Sequence, residues 1–409
     1  MTTEDASSSS SSSRLLRFQG HVNLRQRLVL SLLTGRPVRI DSIRSKSTSP
    51  GLRDYEAGFL RLLEKVTNGS RIEIGYTGTS LSLRPGTITG GNITHDCGTS
   101  KPIGYFLEWI AVLAPFAKKE LALTLKGITT GENDLGADVL RTVTLPVLSL
   151  FLPSPSSLAS SLELRIRARG ASPNGGGSLF FRCPLLPNAS STGAGTAGGM
   201  LRTVDFTSPG RIKRIRGVAS ATRVSPQMAN RMVEAARGVL NRYIPDLYLF
   251  ADVYRGEEAG KSPGFALSLV SSSTTGALHC SESVSKPGQT PEDVALEAAR
   301  ALLVEISTRG CVPRSHQPLF LLLMALGPQD VSKARLGALT PAAIHMLRDI
   351  KAFTGVTFKV KVEQQEAKRK RSADDSDEED MDSEEPASML EETLASCVGC
   401  AIRGSRKVG

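Results

Sequence analysis

The chain has 409 residues, 40% of them hydrophobic and 22% charged, with a formal net charge of +10. That length supports two or three domains and a sizeable core. No apolar run approaches the roughly 20 residues that span a bilayer, and the start is serine-rich instead of basic-then-apolar, which predicts a protein that stays inside the cell.

The charge is uneven. Residues 363–392 hold 13 acidic and 4 basic side chains, so this stretch is −9 and the remainder +19. A basic body of that size suits a polyanionic partner, nucleic acid before others. Six scattered cysteines do not make a disulfide framework. Cys397 and Cys400 form a C-x-x-C on one late strand, but no second ligand pair accompanies them, so neither a metal nor a cofactor is expected.

In chain order, residues 1–13 are low-complexity serine, expected to be disordered. Residues 24–34 carry an apolar stripe at helical spacing, 37–43 read as a strand, and 54–67 as an amphipathic helix with Phe59, Leu60, Leu63 and Val66 on one face. Strands at 71–75 and 80–83 follow, closed by Pro85-Gly86. The order recurs with a helix over 103–115, a strand over 121–126, a helix over 136–150 and strands over 162–167 and 178–183. Residues 187–200 are small and glycine-rich, as in a linker.

Residues 211–270 have their own strand-helix-strand-strand pattern, the helix running from Ser225, with Pro226 at its first position, to Tyr243. A third pass comprises a helix over 291–308 with Thr290 as N-cap, a nearly all-apolar helix over 317–326, a helix over 341–353, and strands over 357–362 and 393–403. The expected class is α/β, with a large domain at 14–185, 276–362 and 393–409, a smaller inserted α/β domain at 186–275, and a disordered charged insertion at 363–392.

Two basic groups stand out. Arg211, Lys213, Arg214 and Arg216 alternate along a predicted strand and, with Arg223, could track an RNA backbone or an acidic segment of a partner. Aromatic content is only 5%, so recognition of phosphate and shape is expected, without base stacking on an exposed platform. Lys368, Arg369, Lys370 and Arg371 fit a nuclear-import signal, and Ser372, Ser376 and Ser383 in the acidic stretch are candidate phosphorylation sites.

Several segments resemble the RNA 3'-terminal phosphate cyclase family: TGRPVRIDSIRSKSTSPGLRD from Thr34, RPGTITGGNITHDCGTS from Arg84 and ARGASPNGGGS from Ala168. GRIKRIRGVASATRVSPQMANRMV from Gly210, GKSPGFALSLV from Gly260 and LLLMALGPQDVSKARLGALTP from Leu321 are closer to its cyclase-like subgroup in eukaryotic ribosome biogenesis. The resemblance implies a large domain of three β-α-β-α-β-β repeats, each a four-stranded sheet plus two helices, with a small inserted domain. It also implies a nuclear and nucleolar role in 18S rRNA maturation within the small-subunit processome, on pre-rRNA and beside a ribosome-assembly GTPase.

Cyclases form a covalent adenylate on a histidine four residues before a glutamine; here the glutamine is Gln317 and that position is Pro313. His316 occupies the place of the motif's aspartate, not that of its histidine, and is expected to face solvent or cap the helix. The acidic residue before the first helix is Phe18, and Ser47 and Tyr55 replace other site residues. Arg25 and Arg44 match family arginines and are expected to bind an anion. A non-catalytic assembly factor follows. An RNA endonuclease built on Arg348, Asp349 and Lys351, with Arg348 and Lys351 sharing a helix face, is the alternative.

Overall fold

A computed structural model describes residues 15–153, 162–186, 199–365 and 390–404. Segments 1–13 and 187–198 and the basic run Lys368 to Arg371 lie outside the described residues.

Four four-stranded sheets organise the chain. In the first, Leu16–Gln19 pairs parallel with Val38–Asp41, and Leu81–Arg84 and Arg71–Ile74 add antiparallel. A parallel pair needs a crossover, which the helix Leu24–Thr34 supplies. The helix Asp54–Val66 buries Phe59, Leu60, Leu63 and Val66, the stripe read from the sequence. The second sheet runs Gly91–Asp96, Leu121–Gly127, Gly177–Cys183, Glu163–Ala168 with the same one parallel and two antiparallel pairings. Its second helix is not the single one expected over 136–150: Ala137–Val139 passes through a π-helical stretch, Leu140–Thr144, into Leu145–Phe151. Pro146 has no N–H to give the preceding turn, which accounts for the irregular ladder.

The third sheet starts earlier than predicted. Asp205–Phe206 pairs parallel with Val331–Leu336, and Leu390–Val398 and Lys359–Gln365 complete it. The ladder pairs Glu363 with Glu392 and Gln365 with Leu390, so both ends of the stretch expected to be disordered are strand. Glu392 is buried and bonded to Arg335. Met200, placed by the sequence in a linker, is also buried. The helix Gln317–Leu326 is buried all round, as its unbroken apolar sequence requires, at the centre of one core shared by these three sheets.

The insertion is larger than the predicted 186–275. Its sheet has the order Leu247–Tyr254, Ile212–Thr222, Gly264–Ser273, Leu278–Val284. The strand Leu278–Val284, which the sequence did not reveal, and the helix Pro291–Ser307, assigned by sequence to the third pass, belong to it. Val294, Ala298 and Leu302 of that helix pack with Ile215, Ala236 and Leu267 in a separate core. The helix starts are as predicted: Ser225 accepts from the Gln227 N–H with Pro226 at the first position, and Thr290 accepts from Asp293. The domain boundary escaped the sequence because Asp205–Phe206 is two residues long and has no periodicity.

The insertion is anchored to the body by Arg169, 1% exposed, which bonds Asp138 of the helix Ala137–Val139 and Asp252 of the strand Leu247–Tyr254 at 2.6–2.8 Å. The glycine-rich turn after it completes the joint: Gly176, at φ +86°, lies so close to Gly260 and Lys261 that a Cβ there would meet the backbone of both at 3.1 Å.

Leu302→Ala should remove about 2–5 kcal/mol from the inserted core. Hydrogen exchange should then quicken across residues 212–307, while Gln317–Leu326 keeps its protection.

Candidate functional site

Of the positions that the cyclase resemblance assigns to the site, Arg25 lines a cavity of about 410 Å³, together with Glu108, Asp134, Cys280, Glu282 and Ser315 among others. Arg25 does not wait there for an anion. Its guanidinium lies 3.8 Å over the Tyr105 ring, 3.5 Å from both Glu108 and Asp134, and donates to the Tyr105 carbonyl. Glu132 and Glu282 add two further carboxylates to the lining. Burial raises the Glu108 carboxyl to about 7, with Arg25 opposing and Asp134 assisting. Burial, with Asp138 nearby, raises Glu282 to about 8. A phosphate entering this cavity would meet one satisfied arginine and several carboxylates, so the anion-site expectation fails on electrostatics.

Arg44 fails it separately. It is not in the cavity lining; both its terminal nitrogens sit 2.7 Å from Glu56, and one also donates to the Gly51 carbonyl. The side-chain bonds to Glu56 hold its pKa above the usual value. Glu56 is buried in the first turn of Asp54–Val66 and also accepts from the Arg53 N–H, so the pair is an internal brace.

Pro313, at the position where the resemblance places the nucleophile, is buried and carries no reactive group. His316 does not face solvent, and at the N-cap of Gln317–Leu326 its side chain makes no capping bond: it is fully buried, 2.8 Å through Nε2 from the Thr144 hydroxyl and 2.9 Å through Nδ1 from that of Ser315. Burial lowers its pKa to about 4, so it stays neutral near pH 7. Gln317 is a strap, donating to the Ala338 carbonyl and accepting from the Thr340 N–H. Phe18 stacks on Phe353 with ring centres 5.4 Å apart.

The endonuclease grouping also comes apart. Asp349 is buried and bonded to Arg27 at 3.2 and 3.3 Å and to Asn23 at 3.0 Å, while Arg348 and Lys351 are exposed. Burial raises the Asp349 pKa against these partners. The carboxylate joins the helices Leu24–Thr34 and Pro341–Thr354, and the two cations project from another face. Among the described residues no group of histidines, cysteines and carboxylates could hold a metal. Cys397 is buried in Leu390–Val398, whereas Cys400 lies beyond that strand's end.

The basic run is exposed. Arg211, Lys213 and Arg214 reach solvent; Arg214 donates through Nε to Ser272, and Arg216 pairs with Asp246 at 2.8 Å. Arg223 does not join them: at the far end of the strand Ile212–Thr222, with φ +50°, its Nε donates to the Gly260 carbonyl. Sequence reasoning missed the carboxylates Glu108, Asp134 and Glu282, which no motif marks, and two exposed aromatics, Tyr248 and Phe250, beside the basic run.

Residues 16–360 match the family model described as RNA 3'-terminal phosphate cyclase. The chain belongs to this family. It is 49% identical to a mouse RNA 3'-terminal phosphate cyclase-like protein over 84% of this chain and 90% of the mouse one. The human counterpart is 48% identical over the same shares. An rRNA processing protein of Schizosaccharomyces pombe is 45% identical over 86% of this chain and 93% of its own.

Because Glu108 and Glu282 have raised pKa values, each binds a proton in the folded state that the unfolded chain has released. Their favourable protonated contribution is complete below about pH 4.5 and is lost as pH rises through about 7 and 8. Glu282→Gln, which keeps an acceptor for the Gly136 N–H, should therefore raise stability by about 1–2 kcal/mol at pH 8. The gain should shrink toward zero near pH 5, as followed by urea unfolding at both pH values.

Proposed function

We propose that this chain is a non-catalytic, cyclase-like factor in rRNA processing. It acts in 18S rRNA maturation within the small-subunit processome, in the nucleus and nucleolus, with a ribosome-assembly GTPase and pre-rRNA as partners. The observation that carries the non-catalytic part is the site itself. Pro313 stands at the nucleophile position, the nearby His316 is enclosed and neutral, and the cavity is rich in carboxylates. Adenylate transfer needs an accessible nucleophilic imidazole and cations around the triphosphate. The nucleophile position offers no imidazole, and the arginine lining the cavity is already paired with Glu108 and Asp134.

The rRNA-processing part is supported by relatives that bear that name or the name cyclase-like, at 45–49% identity. The strongly basic body is consistent with an RNA partner. The endonuclease reading loses its support, since Asp349 is committed to Arg27 and Asn23.

Incubation of the protein with α-labelled ATP, then denaturing electrophoresis, should leave no labelled band; a labelled band overturns the non-catalytic reading. Depletion of the protein in its own cells should cause precursors of 18S rRNA to accumulate while large-subunit rRNA matures normally. An unchanged 18S precursor profile overturns the processing role.

A further inference from the structure

The inserted sheet has one face covered by helices and one face partly open. Ile215, Ala219 and Ala221 of its long strand point into the core beneath Pro226–Leu240 and Pro291–Ser307. Arg214, Arg216 and Val218 alternate to the other face. On the adjacent edge strand, Tyr248 is in register with Arg216 and Phe250 with Val218, so these two rings share the arginines' face. They are 58% and 51% exposed. Two half-exposed rings two residues apart on an edge strand are not packing the core.

Beside them lies a cavity of about 270 Å³. Val218, Val270 and Leu278 form its apolar floor, and Arg214, Arg216 and Tyr248 its rim. It is smaller than the roughly 300–1,000 Å³ of typical cofactor sites, and suits one planar ring. The one carboxylate in its lining, Asp138, is already held by Arg169. Just outside, a β-bulge between Ile212 and Arg214 interrupts the ladder. Arg211 precedes it and Lys213 lies in it, both exposed and without an ion-pair partner among the described residues, and a bulge there re-aims side chains away from the sheet.

We propose that this face binds unpaired RNA: one base enters the cavity against Tyr248, a neighbouring base stacks on Phe250, and Arg211, Lys213 and Arg214 hold the intervening phosphates. The choice of RNA rests on the rRNA-processing reading above; the choice of a nucleotide over a peptide rests on the site. An apolar peptide side chain would cover the floor and leave the cations unmatched. An acidic one would match the cations and leave the ring faces bare. A nucleotide carries a flat π-face and a phosphate in one unit, which is the combination this surface presents. The cavity around Glu108 and Glu282 offers the same ligand only Arg25, which is already paired with Glu108 and Asp134.

The test is fluorescence anisotropy of the full chain with fluorescein-labelled oligoadenylate and oligouridylate, and with a blunt RNA duplex of equal length, across a salt series. Tyr248→Ala with Phe250→Ala should weaken binding of both single strands by about tenfold to a hundredfold, leaving the salt slope and duplex binding unchanged. Tyr248→Phe with Phe250→Tyr should bind like the wild type, and all variants should melt at the wild-type temperature, since these rings are half-exposed. Arg214→Ala with Lys213→Ala should weaken every RNA and lower the salt slope by about one for each phosphate no longer held. If the alanine pair binds single strands normally, or loses duplex and single strand equally, the stacking platform is wrong while RNA binding survives. If the wild type binds none of the three RNAs, the platform and the direct RNA binding of the proposed function fall together.

Discussion

The buried guanidinium of Arg169 is the constraint on which the arrangement depends. Burial alone would lower its pKa, but Asp138 on one side and Asp252 on the other outweigh that and hold it charged. Its two partners come from different units, the body and the insertion, so the charge is satisfied only when the two are docked. A buried ion left without its partners costs several kcal/mol, which makes this joint specific as well as cohesive. The backbone reinforces it: the Arg169 N–H donates to the Glu258 carbonyl, and Gly260 approaches the carbonyls of Arg169 and Gly175 too closely to admit a Cβ.

Docking by this joint makes both surfaces of interest. The strand Leu278–Val284 of the insertion contributes Cys280 and Glu282 to the acidic cavity, while Arg25, Glu108 and Asp134 come from the body. The basic cavity is also shared, since Asp138 and Thr142 of the body face the arginines of the inserted sheet. Acid and base are therefore segregated onto two sides of one interface. The carboxylates around Arg25 and the one facing Arg44 turn the matching family arginines inward, into ion pairs that keep a cyclase-type architecture while withdrawing its cations from a ligand.

Much of this was legible in the sequence. The amphipathic helix over Asp54–Val66, the all-round apolar helix Gln317–Leu326 and the capped starts at Ser225 and Thr290 were each determined by local periodicity or capping, which depends on neighbours a few residues away. So was Pro313, four residues before Gln317, at the position where the resemblance places the nucleophile.

Other features depended on residues far apart in the chain. The extent of the insertion could not be read, because a helix such as Pro291–Ser307 shows which face is apolar but not which sheet will cover it. Charge was the least legible of all: Arg25, Arg44 and Asp349 read as free functional groups, and each is consumed by a partner 12 to 326 residues away. Low aromatic content likewise hid that two exposed rings, Tyr248 and Phe250, lie on one edge strand. Local structure was thus determined by the sequence alone; which charges remain available was decided only by tertiary structure, because pairing depends on distance in space and not along the chain.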